Sequence, residues 1–251
     1  MSSTNDPLRW KIIDALKSDD LCTLCSVLFK EEGTIVDQML TDEQVMDNDI
    51  RRRIVDGFGL CPRHYGYILK ASRKAGSEDG LGLCLILGSL LESLRDSGKN
   101  ITHKRTGRRN GIQRVERKTV EKLMCFVERR SCFVCSRMEE MDRINTSTLI
   151  SMVSERDRLL VKAGNHLCYP HYIICISKAS DGGRHISKAL ETFCSDFEAS
   201  ISELLDDAGK FVSHHDYTMA GRPMGAEKNV NERAIKTLTG RMELITDTEL
   251  K

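Results

Sequence analysis

Proline and aromatic residues are scarce. Four prolines, one tryptophan and an aromatic content of 5% leave little material for the turns and packed rings of a β-sandwich, and favour helices. Net charge is nearly absent as well, with 38 Lys+Arg against 37 Asp+Glu, so the chain has no global polyelectrolyte character and any nucleic-acid contact would be local. No apolar run reaches the ~20 residues that a membrane span requires; the longest, around Leu81–Leu94, is broken by Gly and Ser. The first residues, MSSTNDPLRW, are polar and lack the apolar core of a secretory signal, so a cytoplasmic location is expected. No Gly-rich dinucleotide loop, P-loop, HExxH or Ser/His/Asp pattern is found, so no residues for catalysis are visible.

What the chain has in plenty is helical periodicity and cysteine. Trp10, Ile13 and Leu16 open a first apolar face. Cys25, Leu28, Phe29, Glu32, Val36 and Met39 fall on a second. Leu83, Cys84, Ile86, Leu87, Leu90, Leu91 and Leu94 form a clear stripe, and Leu190, Phe193, Phe197, Ile201, Leu204 and Leu205 form another. Asp47-Asn-Asp49 before Arg51–Arg53 reads as a helix N-cap with acids near the positive end of the dipole, and the arginines as a solvated face. Ten cysteines in a reducing compartment argue for metal ligands or redox work before disulfides.

Six of the cysteines are ordered by spacing. Cys22-Thr-Leu-Cys25 is followed by Gly59-Leu-Cys61-Pro-Arg-His64-Tyr65, and Cys132-Phe-Val-Cys135 by His166-Leu-Cys168-Tyr-Pro-His171-Tyr172. The same order with nearly the same internal gap predicts an internal duplication. In CxxC and CxxH the two intervening residues let both donors face one centre. Zinc takes four such donors in a tetrahedron. Cys22, Cys25, Cys61 and His64 form one expected Cys3His set; Cys132, Cys135, Cys168 and His171 form the other. An alternative assembly exchanges the pairs, so that the CxxC of one half meets the CxxH of the other. Pro62 and Pro170 suit the first turn of a helix, whose N-terminus favours thiolate. The other cysteines, Cys84, Cys125, Cys175 and Cys194, read as small apolar residues.

The expected fold is therefore mostly α: a duplicated helical repeat, each half clamped by a Cys3His metal site. The divisions are a first repeat over 1–98, a basic linker over 99–118, a second repeat over 119–209 and a polar tail with a short helix over 210–251. The linker carries Lys104, Arg105, Arg108, Arg109, Arg114, Arg117 and Lys118, candidate phosphate contacts whose binding would weaken with salt. No aromatic is interleaved for base stacking, and a solvated loop is the simpler reading. His214-His215-Asp216 reads as a polar turn, because no matching partner is visible elsewhere.

The run Cys22-x-x-Cys25, Met39-Leu40, Val45-Met-Asp47, Arg53 and Gly59-Leu-Cys61-Pro-Arg-His64 resembles an uncharacterised prokaryotic family known as a domain of unknown function. Its members carry the CxxC…GxCxxH arrangement twice and end in a Lys-x-Asp-Tyr-Arg-like stretch, an acid, and an Arg-Ala helix closing on Gly. His214-His215-Asp216-Tyr217, Glu227, Arg233-Ala234-Ile235 and Gly240 are similar to that ending, although His214 and Thr218 stand where basic residues are expected and the basic linker is longer. The resemblance implies the fold and the metal, and no activity. The leading expectation is a binding or adaptor protein with two structural zinc ions, its partner a protein or nucleic acid and not a membrane. The alternatives are an iron–sulfur redox or electron-transfer protein, a nucleic-acid-binding protein using the linker, and a zinc hydrolase with an open ligand position.

Overall fold

The computed structural model describes residues 6–17, 22–39, 47–57, 59–75, 81–103, 124, 132–155, 167–181, 183–214 and 223–240. Among them the protein is mostly helical and contains no strand, as the composition predicts. The α-helices are α1 (Pro7–Ala15), α2 (Thr23–Gln38), α3 (Asn48–Asp56), α4 (Pro62–Ala75), α5 (Leu81–His103), α6 (Phe133–Ser154), α7 (Tyr169–Asp181), α8 (Gly183–His214) and α9 (Val230–Thr239), the last entered through a 3-10 turn over Ala226–Asn229. The basic residues Lys104, Arg105, Arg108, Arg109, Arg114, Arg117 and Lys118 lie outside the described residues.

The helix starts are written locally. Asp6 caps α1, its carboxylate accepting from the Leu8 amide at 3.0 Å, with Pro7 in the first turn where its missing N–H costs nothing. Asp47 caps α3 as expected, accepting from Asp49 N at 2.8 Å and Ile50 N at 3.3 Å. Within α3 the arginines are not equivalent. Arg52 is exposed and pairs with Asp56 at 3.7 Å, whereas the Arg53 guanidinium lies 5.2 Å from the Phe133 ring centroid.

Contacts divide the chain into two compact units, Met1–Phe29 with Met141–Lys251, and Lys30–Glu140. Both boundaries fall inside helices, α2 and α6. In the first unit Ile12, Ala15, Leu24, Val27, Leu149, Met152, Leu167, Cys175 and Phe193 form the core, and α8 packs against α7 and α9. In the second, Val36, Met39, Ile54, Leu60, Ile68, Ile86, Leu90 and Val134 form the core, and α3 packs against α5.

Two apolar faces differ from expectation. In α1 the buried residues are Ile12 and Ala15, while Trp10 is 54% exposed. Positions at i, i+3 and i+6 drift steadily around a helix, and the side with the small alanine is the one pressed into the core. On α5 only Ile86 and Leu90 of the long stripe are buried; Cys84, Leu87 and Leu91 are exposed, so Cys84 is not a core residue.

Phe193 sits 1% exposed in the first core. Phe193→Ala is expected to cost about 3–5 kcal/mol, the range for deleting a buried ring. Removing the α3 cap in Asp47→Ala is expected to cost about 1 kcal/mol. Urea midpoints of the two variants should separate in that order; equal losses would contradict the burial.

Candidate metal centres

The eight donors form two clusters, and the pairs are exchanged. Cys22, Cys25, Cys168 and His171 meet in the first unit; Cys61, His64, Cys132 and Cys135 meet in the second. The grouping within halves, Cys22 and Cys25 with Cys61 and His64, and Cys132 and Cys135 with Cys168 and His171, is therefore corrected to the exchanged assembly. The physical reason is the length of α2. The helix runs on past Cys22 and Cys25, and His64 meets it at Glu32, ten residues and about 15 Å beyond Cys22. In the same way α6 runs on past Cys132 and Cys135, and His171 meets it at Asp142, ten residues beyond Cys132.

All four pairs are built alike. Cys22, Cys61, Cys132 and Cys168 each immediately precede a helix, and Cys25, His64, Cys135 and His171 lie in its first turn. The carbonyl of each leading cysteine accepts the first helical hydrogen bond, from Ser26, Tyr65, Ser136 and Tyr172 respectively. Four helix N-termini thus deliver the donors, and first-turn amides such as that of Cys25, 3.5 Å from Cys22 Sγ, favour negative charge on sulfur. Pro62 and Pro170 stand in the first turns of α4 and α7, as the sequence suggests.

In the first cluster His171 Nδ1 lies 3.3 Å from Cys22 Sγ, 3.4 Å from Cys25 Sγ and 3.2 Å from Cys168 Sγ, with Cys25 and Cys168 Sγ 3.8 Å apart. In the second, His64 Nδ1 lies 3.1 Å from Cys61 Sγ, 3.4 Å from Cys132 Sγ and 3.5 Å from Cys135 Sγ, with Cys61 and Cys135 Sγ 3.9 Å apart. These sulfurs are too far apart for a disulfide, whose S–S bond is about 2 Å. A single tetrahedral zinc would set S···S at about 3.8 Å and S···N at about 3.6 Å. The sulfur separations match, the imidazoles sit slightly inside, and the donor sets fit one such ion each.

The charge pattern points the same way. Burial opposes ionisation of Cys22, but hydrogen bonds with Cys168, Cys25 and His171 outweigh it and hold this thiol well below its ordinary range. Cys25 is driven the other way, by Cys168 and Cys22 first and then by burial. In the second cluster burial again opposes, yet His64 and backbone amides bring Cys132 down to about 6, while burial and the charge of Cys132 push Cys135 up to about 12. Against their burial, His64 rises to about 10 beside Cys132 and Glu32, and His171 to about 12 beside Asp142, Cys168 and Cys22. Each cluster tolerates one thiolate next to an imidazolium and resists the next. A cation at the centre removes that resistance.

Residues the sequence did not mark complete the sites. His64 donates from Nε2 to Glu32 Oε1 at 2.8 Å, and Arg63 donates to the same oxygen at 2.7 Å. His171 Nε2 lies 3.3 Å from Asp142 Oδ1, and Asp142 also accepts from Thr146 at 3.2 Å. One available signal is the interval from Cys22 to Glu32, which equals that from Cys132 to Asp142. The end of α9 reaches the first cluster. Gly240, with φ +81°, is so placed that a Cβ would lie 3.3 Å from Cys168 Sγ and 3.5 Å from Cys25 Sγ. His214 does have a partner, Glu227, at 3.0 Å, and Arg233 donates to Asp207 at 2.7 Å and Glu203 at 2.9 Å. His215, Asp216 and Tyr217 lie outside the described residues. Among the other cysteines, Cys175 is buried and its thiol is pushed up to about 12 by that burial, Cys194 is half-buried near the Tyr172 hydroxyl, and Cys125 lies outside the described residues.

Fold and site together define a helical protein with two Cys/His clusters able to bind metal. The chain belongs to DUF6062, a family of unknown function, whose model matches residues 8–244. No curated protein and no solved structure matches it.

Two glycines test this geometry. Gly240→Ala introduces a side chain at a positive φ beside two sulfurs, and is expected to cost about 1–3 kcal/mol. At Gly59, φ +95°, a Cβ would overlap the Tyr65 hydroxyl. Adding Tyr65→Phe to Gly59→Ala should recover part of the thermal stability, by removing the clashing oxygen, while the backbone strain persists. No recovery in melting temperature would contradict the contact.

Proposed function

We propose that the protein is a zinc-stabilised binding or adaptor module, in which each cluster holds one structural zinc ion and the two halves descend from a duplicated unit. The observation that carries this reading is the donor geometry: three sulfurs and one Nδ1 per cluster, all within 4.8 Å of one another. That space suits a single ion. A cluster of several irons with bridging sulfides would hold its cysteines further apart, which places the iron–sulfur alternative second. With four protein donors on each ion, no position is left for the water that a hydrolytic zinc activates. Burial of His64 and His171 supports the same closed character. A reducing, cytoplasmic setting would keep the thiols available for zinc. Among the described residues no helix is long and apolar enough to cross a membrane. The basic residues from Lys104 to Lys118 remain the proposed contact if the partner is a nucleic acid.

Structural zinc contributes about 10–16 kcal/mol in small zinc-binding peptides, as much as the whole stability of an ordinary domain. Removal of both ions should therefore abolish the cooperative thermal transition. Protein purified without oxygen is expected to contain two zinc ions per chain and to be colourless. Iron with strong visible absorption would overturn the reading in favour of the redox alternative, and a chain that folds with no metal would overturn both.

A further inference from the structure

The histidines of the two clusters are held by carboxylates from an unexpected source. α2 brings Cys22 and Cys25 to the first cluster and, further along the same helix, Glu32 to His64 of the second. α6 brings Cys132 and Cys135 to the second cluster and Asp142 to His171 of the first. On an unbroken helix the sulfur-bearing end and the carboxylate are separated by a rise of about 15 Å. We propose that each CxxC helix serves both metal centres, so that filling one centre raises the metal affinity of the other, with Glu32 and Asp142 as the positioning residues that carry the coupling. This rests on the reading of the clusters as metal centres.

The argument starts from the imidazole. His64 and His171 can ligate through Nδ1 only if the proton sits on Nε2 and the ring is correctly turned. A carboxylate accepting from Nε2 secures both. Glu32 is 3% exposed, and its Oε1 also accepts from Arg63, so the carboxylate is held in place by its own helix and by α4. Asp142 is similarly held by Thr146 one turn further along α6. An ion in the first centre gathers Cys22 and Cys25, which fixes α2 and with it Glu32; His64 is then preset for the second ion. An ion in the second centre gathers Cys132 and Cys135, which fixes α6 and with it Asp142; His171 is preset in turn. Whichever ion arrives second finds ordering already done that the first had to bring about. The coupling is reciprocal, as linkage requires.

The test uses the full chain, stripped of metal under reducing conditions and given one equivalent of zinc, with native mass spectrometry counting ions per chain. Coupling of roughly tenfold leaves only about a quarter of the chains singly loaded, the rest empty or doubly loaded. Cys22→Ser/Cys25→Ser, lacking the first centre, should bind its one remaining ion at least tenfold more weakly than the wild type binds its last, by competition with a coloured chelator. Glu32→Gln should weaken the second centre by about 10–100-fold. It should also move the His64 imidazole nitrogen resonances at saturating zinc, and Glu32→Asp should restore them in part, which a merely structural loss would not. Retained helical circular dichroism identifies the variants that fold, and the wild-type loading needs none of them. Half or more of the chains singly loaded, with unchanged affinity in the double serine variant, overturns the coupling while leaving two metal centres in place. A chain that takes up no zinc overturns the coupling and the metal reading together.

Discussion

Six cysteine sulfurs and two imidazoles converge at two points, each fed by a pair of helix N-termini, and the rest of the structure is arranged around that convergence. Crowding is costly for such groups. Buried thiols resist ionisation, and a thiolate beside a second thiol raises the cost of ionising it, as the opposed behaviour of Cys22 and Cys25 and of Cys132 and Cys135 records. Helix N-termini lower part of this cost through their free amides, and an imidazole lowers more. A divalent cation can satisfy all four donors at once. The leading cysteines also act as caps, the Cys25 amide donating to Cys22 Sγ at 3.5 Å, so an ion held there would fix the helix starts by coordination as well as by capping.

This constraint accounts for the economy of the apolar cores. A chain with one tryptophan and few aromatics has limited ring area to bury, and several large apolar side chains, Trp10, Phe29, Leu91 and Leu205 among them, remain exposed. The cores are placed next to the clusters. Cys22 and Cys168 are part of the first core, and Cys132 belongs to the second. Each donor pair therefore stands where apolar packing restrains the same turn of helix that a bound metal would.

The donors were legible in the sequence because spacing is a local property: two residues between cysteines, or between cysteine and histidine, place both on one helical turn. The α3 cap was legible for the same reason, Asp47 acting only on its own amides. The choice of partner was not legible, because it depends on how far α2 and α6 carry the chain before the next donor pair, and apolar periodicity gives helix length poorly. Glu32 fell on the expected helical face without a role, since nothing local tells a buried acid that meets a histidine from one that meets water. Asp142 was passed over for that reason. The spacing of Trp10, Ile13 and Leu16 marks a face of which Ile13 and Leu16 pack on the core while Trp10 stays exposed, because Ile12 and Ala15 turn the fully buried side of α1 away from it. The tail residues Glu227, Arg233 and Gly240 stand out only by resemblance, because His214, Asp207 and the cluster sulfurs that they meet lie too far along the chain for any local pattern to connect them.

The two centres are similar in plan and different in surroundings, and the differences concern the histidine side. In the second, Glu32 shares one oxygen between His64 and Arg63 at 2.8 and 2.7 Å, a charge-assisted arrangement that ties α2 to the first turn of α4. In the first, Asp142 holds His171 at a longer 3.3 Å with the Thr146 hydroxyl beside it, and the end of α9 comes close to Cys25 and Cys168 through Gly240. Both clusters thus hold their imidazole against a carboxylate, and the first adds the close approach of backbone to its sulfurs. A glycine suits this approach, because φ is +81° and a Cβ there would lie a tight 3.3 Å from the Cys168 sulfur. The sequence that closes the C-terminal helix is in this sense part of the first Cys/His cluster, although it supplies none of the four donors.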